Sequence, residues 1–211
     1  MTVMQSKYYK PIEFFILFIG IPVSFALDFL FYIKAAITII GFIYVAYVLL
    51  YVEKNKFKVG KNLNWKLFWK NTSLKFLVII ALTIAYVWFV DRESLFEVVH
   101  YKTLFWSIIL FAYCIFSVYP QELIFRTFFF QRYETLVPNK KLFIFINAIV
   151  FSLAHIFYRN TLVLVMTFLG GILFALTYRR TRSTIMVSIE HAIYGCWLFT
   201  VGMGEMLGFP T

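Results

Sequence analysis

The sequence predicts an all-α fold, a multipass bundle of about seven transmembrane helices with no sizeable soluble domain. Three observations predict it. Of 211 residues, 62% are hydrophobic and 14% charged, a balance that a soluble domain of this size carries only by exposing large apolar patches. Apolar runs of about 20 residues, the length that crosses roughly 30 Å of hydrocarbon, recur along the whole chain. The net charge of +10 is gathered in short Lys and Arg clusters between those runs. No basic face interleaved with exposed aromatics accompanies it, so nucleic acid is not an expected partner.

The first span is expected over residues 11–32, behind Lys7 and Lys10. It begins like a signal peptide, but it is long and lacks a small-x-small cleavage site, so it reads as a retained helix. The second is expected over 35–52. The Lys-rich stretch from Glu53 to Lys75 reads as a cytoplasmic loop, in part an interfacial helix carrying Trp65 and Trp69 and drawn to anionic lipid. The third span is expected over 72–90. The fourth, 101–132, is longer than one crossing requires, and Pro120 inside it predicts a kink or a break. The fifth, sixth and seventh are expected over 142–158, 161–178 and 183–206. Residues 1–100 thus form a three-span region and 101–211 a core, together one membrane domain.

Cys114 and Cys196 both fall inside apolar runs at a spacing that suits neither zinc nor a redox pair, and read as buried free thiols. The abundant Phe and Tyr read as lipid-facing or helix-packing residues, with some Trp and Tyr at headgroup level.

Cytoplasmic loops retain positive charge, so the distribution of Lys and Arg sets the expected orientation. With the N-terminus in the cytoplasm, that side collects Lys7 and Lys10, the Lys54–Lys70 cluster, Arg132, Lys140 and Lys141, and Arg179, Arg180 and Arg182. The other side keeps only Lys34, Arg92, Lys102 and Arg159, which places the C-terminus outside a cell membrane. Lys75 and Arg126 fall within spans.

Ionisable groups at membrane depth cost several kcal/mol unless paired or hydrated, about 2.5 to 3.5 on insertion scales, so each is a functional candidate. They concentrate in the C-terminal half. Glu122 and Arg126 stand four residues apart, on one helix face. His155 comes late in the fifth span, and His191, with Glu190 before it, early in the seventh. At about 1.5 Å per residue, Glu122, His155 and His191 lie ~15, ~21 and ~14 Å from the basic residues that bound their spans. Similar depth on three helices allows one polar pocket.

A Glu and two His in a largely dry bundle suit the activation of water for attack on a peptide carbonyl. The carboxylate would act as general base, one His would hold the water, and the other would donate to the oxyanion. Two His and one Glu also make a catalytic zinc site, so Glu122, His155 and His191 are the ligands if a metal is present. The absence of a His-Glu-x-x-His pair argues against zinc, and no cofactor is expected. Duller readings stand beside these. Glu122 and Arg126 could be a structural ion pair, and each His an interhelical hydrogen-bond partner. Glu190 could be the pocket carboxylate or face away, since adjacent helical residues point about 100° apart.

These segments resemble the CPBP family, the CAAX-processing and bacteriocin-immunity (Abi) intramembrane proteases. The family pattern is Glu-Glu-x-x-x-Arg, then Phe-x-x-x-His, then His-x-x-x-Asn on successive helices. Here Gln121-Glu122-x-x-x-Arg126, Phe151-x-x-x-His155 and His191-x-x-x-Gly195 occur in that order. The resemblance, which runs from Tyr101 onward, implies a membrane endopeptidase in which Glu122 and His155 activate water, His191 donates to the oxyanion and Arg126 anchors the Glu-bearing helix. Gln121 stands where the family has its first Glu, and an amide is no general base. Gly195 stands where it has Asn, removing a side-chain donor. The expected partners are membrane lipid and a membrane-associated peptide or protein substrate, with prenylated cargo not expected to carry over. The alternatives are a relative that binds without cutting, as an immunity scaffold, and, ranked last, a small transporter, for which only Pro120 and the Gly170-Gly171 pair speak.

Overall fold

The computed structural model describes residues 3–55 and 63–205. Among them the secondary structure is helical throughout, without strands, as the composition requires of a chain that must satisfy its backbone inside lipid. Among the described residues six helices are long and apolar enough to cross a membrane: α2 (Phe31–Val52), α3 (Trp65–Val90), α4 (Thr103–Leu136), α5 (Lys140–Tyr158), α6 (Thr161–Thr181) and α7 (Thr184–Met203). The helical run over residues 9–25, α1, falls short of 18 residues. Many of the largest side chains face outward, Phe31, Phe89 and Phe116 among them. That is the surface of a multipass membrane protein.

Three expectations need correction. The first span does not reach residue 32: α1 ends at Phe25, and a turn precedes α2. Lys34 therefore lies inside α2, with its ammonium donating to the Phe25 carbonyl at 2.8 Å. Unbroken apolar character hid the turn, and Asp28 was its one polar mark. Trp65 and Trp69 are not on a separate interfacial helix. They open α3, which Asn64 caps by accepting from the Leu67 N–H at 2.9 Å. At 26 residues α3 is about 39 Å long, so its Trp- and Lys-bearing first turns extend past the hydrocarbon. Of the kink or break expected at Pro120, the break is absent: α4 continues through widened π turns over Tyr113–Val118 and Leu123–Phe128 on either side of Tyr119–Glu122. Such turns absorb the donor that proline lacks without ending the helix. Lys56, Lys58, Lys61 and Met206 lie outside the described residues.

The chain divides into two compact units, Met1–Val59 with Gln121–Arg182 and Gly60–Pro120 with Ser183–Thr211. In the first, α5 and α6 approach closely because position 171 is Gly: a Cβ there would stand 3.0 Å from the Ala148 Cα. Small residues at helix contacts replace the hydrophobic drive that lipid does not supply. Beside them an aromatic cluster forms from Phe14, Phe18, Phe129 and Tyr133, largely edge-on, with Phe18 to Phe129 at 5.2 Å between ring centres.

A buried charge cluster pins α1 and α2 to the end of α4. Arg132, expected as a boundary charge, is wholly buried, with Nε donating to Glu13 at 2.7 Å, Nη1 to Glu53 at 2.6 Å and Nη2 to the Met4 carbonyl at 2.6 Å. Tyr133 and Tyr44 also donate to Glu13.

In the second unit α7 carries two bonded faces. Toward α3, Glu190 pairs with Lys75, the Tyr194 hydroxyl lies 3.1 Å from the Thr72 carbonyl as well as 2.9 Å from Glu190 on its own helix, and the Trp197 indole donates to Thr83 at 2.8 Å. Toward the first part of α4, His191 meets Tyr113, Cys196 meets Cys114, and Thr200 accepts from the Trp106 indole at 3.0 Å. The helical repeat sets both rows.

Candidate active site

Glu122 and Arg126 lie on α4 where the second π turn begins, both wholly buried, with Arg126 Nε 3.3 Å from Glu122 Oε2. The i, i+4 spacing allows this pairing, and burial requires it. Asn147 of α5 completes the set. Its Oδ1 accepts from Arg126 Nη1 at 2.7 Å, and its Nδ2 donates to the Phe125 carbonyl at 2.7 Å, which also accepts from Arg126 at 3.2 Å. The guanidinium lies over the Phe151 ring, 4.7 Å from its centre, and 5.9 Å from that of Phe174 on α6.

Asn147, Phe151 and His155 recur every four residues on one side of α5. His155 follows the last full turn of that helix, Lys140–Leu153. Its Nδ1 lies 2.8 Å from the Phe151 carbonyl. A carbonyl only accepts, so Nδ1 carries the proton and, in the neutral ring, Nε2 holds the lone pair. The first unit thus brings Glu122, Arg126 and His155 onto one chain of contacts that passes through Phe151. Gln121 precedes Glu122 and is partly buried.

His191 and Glu190 belong to the second unit. Glu190 is wholly buried and faces Lys75 and Tyr194. His191 faces α4, with its Nε2 3.1 Å from the Tyr113 hydroxyl. Gly195, one turn on, faces the same tyrosine: a Cβ there would stand 2.1 Å from the Tyr113 oxygen and 2.6 Å from two ring carbons. No side chain larger than hydrogen fits position 195 while Tyr113 holds this place.

Residues 103–197 match the family described as type II CAAX prenyl endopeptidase, Rce1-like. That model is one of the CPBP family, so the match bears out the resemblance of the three motifs. The match takes in all of α4, α5 and α6 and most of α7, with all three motif segments inside it. Proteolysis within the membrane is the kind of function it supports. No curated protein and no solved structure matches the chain.

Beside the CPBP pattern stand three partners that sequence reasoning missed. Asn147 was visible as an amide in an apolar run, one turn before Phe151. Lys75 was visible as a charge inside a span, but its pairing with Glu190 joins residues 115 apart. Tyr113 gave no signal among so many aromatics. The two thiols, whose sequence spacing suits no redox pair, stand 3.6 Å apart. Among the described residues, no group of three or more His, Cys, Asp or Glu comes close enough to hold a metal ion.

Proposed function

We propose that this protein is an intramembrane endopeptidase that hydrolyses a peptide bond in a membrane-associated peptide or protein, with Glu122 as general base. The match across residues 103–197, which takes in Glu122, His155 and His191 together, carries the reading. Glu122 removes a proton from water as the water oxygen attacks the carbonyl carbon. His155, with its proton on Nδ1, offers Nε2 to the second water hydrogen and orients the nucleophile. The carbonyl oxygen becomes an oxyanion and accepts from a His191 N–H. Glu122 then passes its proton to the amide nitrogen as the C–N bond breaks, leaving a carboxylic acid and an amine. Arg126 and Asn147 hold the Glu122-bearing turn throughout.

The second reading, a relative that binds without cutting, rests on Gln121. If the first position of the motif is the one that needs a carboxylate, this chain has lost its base.

Mapping new N-termini in membranes from cells that express the wild type or Glu122→Gln at equal levels separates the two. A set of termini present with the wild type and reduced at least about 100-fold in the variant supports the protease, since a general base contributes about 10²- to 10⁴-fold. Identical sets of termini leave only the binding reading.

A further inference from the structure

The second unit holds a contact that the proposed chemistry does not use. Cys114 stands in the first π turn of α4, Tyr113–Val118, and Cys196 stands on α7, with their sulfurs 3.6 Å apart. Both belong to the same unit, and both thiols are free and partly exposed. Contacts on either side of Cys196 along α7 fix the approach: His191 meets Tyr113 at 3.1 Å, and Thr200 accepts from the Trp106 indole at 3.0 Å. Gly195, beside Cys196, lets the two helices come so near that a Cβ there would stand 2.1 Å from the Tyr113 oxygen. Next to Cys114, Ile115 and Phe116 face outward. The thiols are therefore exposed at an apolar margin of the two helices, one that meets hydrocarbon rather than water.

We infer that Cys114 and Cys196 are a reversible disulfide site, closed by a lipid-soluble hydroperoxide, that staples α4 to α7. The inference does not depend on the protease reading. The two residues are 82 positions apart in the chain, yet the fold sets their sulfurs in contact. A disulfide holds its sulfurs about 2.05 Å apart, so a movement of about 1.5 Å shared by the two side chains closes the bond. Both thiols lie inside spans, which is why the oxidant must dissolve in hydrocarbon. One sulfur attacks the hydroperoxide and the O–O bond breaks. A sulfenic acid and an alcohol form, with the thiol proton passing to the alcohol oxygen. The other sulfur then attacks the sulfenic sulfur. The S–S bond forms as the S–O bond breaks, and the hydroxyl leaves with the second thiol proton as water. Each sulfur gives up one electron, and the two peroxide oxygens take them. Because the second thiol is already in contact, it captures the sulfenic acid before further oxidation. The closed bond fixes α7 against α4 between the His191 and Thr200 contacts.

Counting thiols tests the site, since the chain has two cysteines. Protein reduced with a phosphine and placed in lipid nanodiscs is exposed to cumene hydroperoxide, unfolded in detergent and labelled with a polyethylene glycol maleimide, whose gel shift reports each free thiol. Wild type is expected to lose both labels together while remaining a monomer, and to regain both after reduction. Digestion of the oxidised protein is expected to yield the Cys114 and Cys196 peptides joined, a measurement that needs no variant. Cys114→Ser and Cys196→Ser lack the capturing sulfur and are expected to accumulate about 10-fold more sulfinic acid than wild type, which reduction does not restore. Wild type that keeps both thiols overturns the inference. So does wild type that pairs its thiols between two chains, or that forms as much sulfinic acid as the single variants.

Discussion

Residue by residue, burying charge is the largest cost that a membrane interior imposes, and the partners of each charge decide its role. Arg126 is wholly enclosed and directs its donors to Glu122, Asn147 and the Phe125 carbonyl. Arg126→Met is expected to lower stability by about 3 to 5 kcal/mol, because it strands the Glu122 carboxylate. Asn147→Leu, similar in size, is expected to cost about 1 to 3 kcal/mol through the partners it leaves on Arg126 and Phe125. Unfolding in mixed micelles measures both, and the opposite order would assign the anchoring to the amide. Glu122, Arg126, His155 and His191 were legible because they are charged or titratable in apolar runs. Tyr113 was not, because its contacts with His191 and with the backbone at Gly195 join distant stretches of chain.

Across whole elements, α7 is fastened along both of its rows, and the fastenings are unequal. Interhelical hydrogen bonds in membranes average about 0.6 kcal/mol, so Trp106→Phe, which removes the bond to Thr200, should barely move stability. Lys75→Met strands the buried Glu190 carboxylate and should cost on the order of 3 kcal/mol. Lys75→Met/Glu190→Gln should recover part of that loss. A double variant no more stable than Lys75→Met would show that the pair does not hold α7 to α3. Element boundaries were less legible than element existence. Helix α1 ends early at a turn written in apolar residues, and α3 begins early because its first turns look like an interface. Helix α4 survives Pro120 because π turns, which carry no composition signal, absorb it. Arg132 misled for a related reason. Basic residues at span ends read as loop charges until Glu13 and Glu53, distant in sequence, are seen to enclose them.

For the whole molecule, composition alone foretold a multipass helical membrane protein, and three short motifs foretold the CPBP match over residues 103–197. The two-unit division was not legible, since it interleaves distant stretches of chain. Water activation by a carboxylate rather than a metal predicts that cleavage survives EDTA and 1,10-phenanthroline. Loss of activity that zinc restores would move the chemistry to a metal held by Glu122, His155 and His191. The most direct measurement is turnover by purified protein in lipid nanodiscs, using a peptide built on the cleavage site found by mapping N-termini. The account predicts cleavage by the wild type and at least a 100-fold loss in Glu122→Gln, the scale of a missing general base. Equal turnover by the two proteins would contradict it.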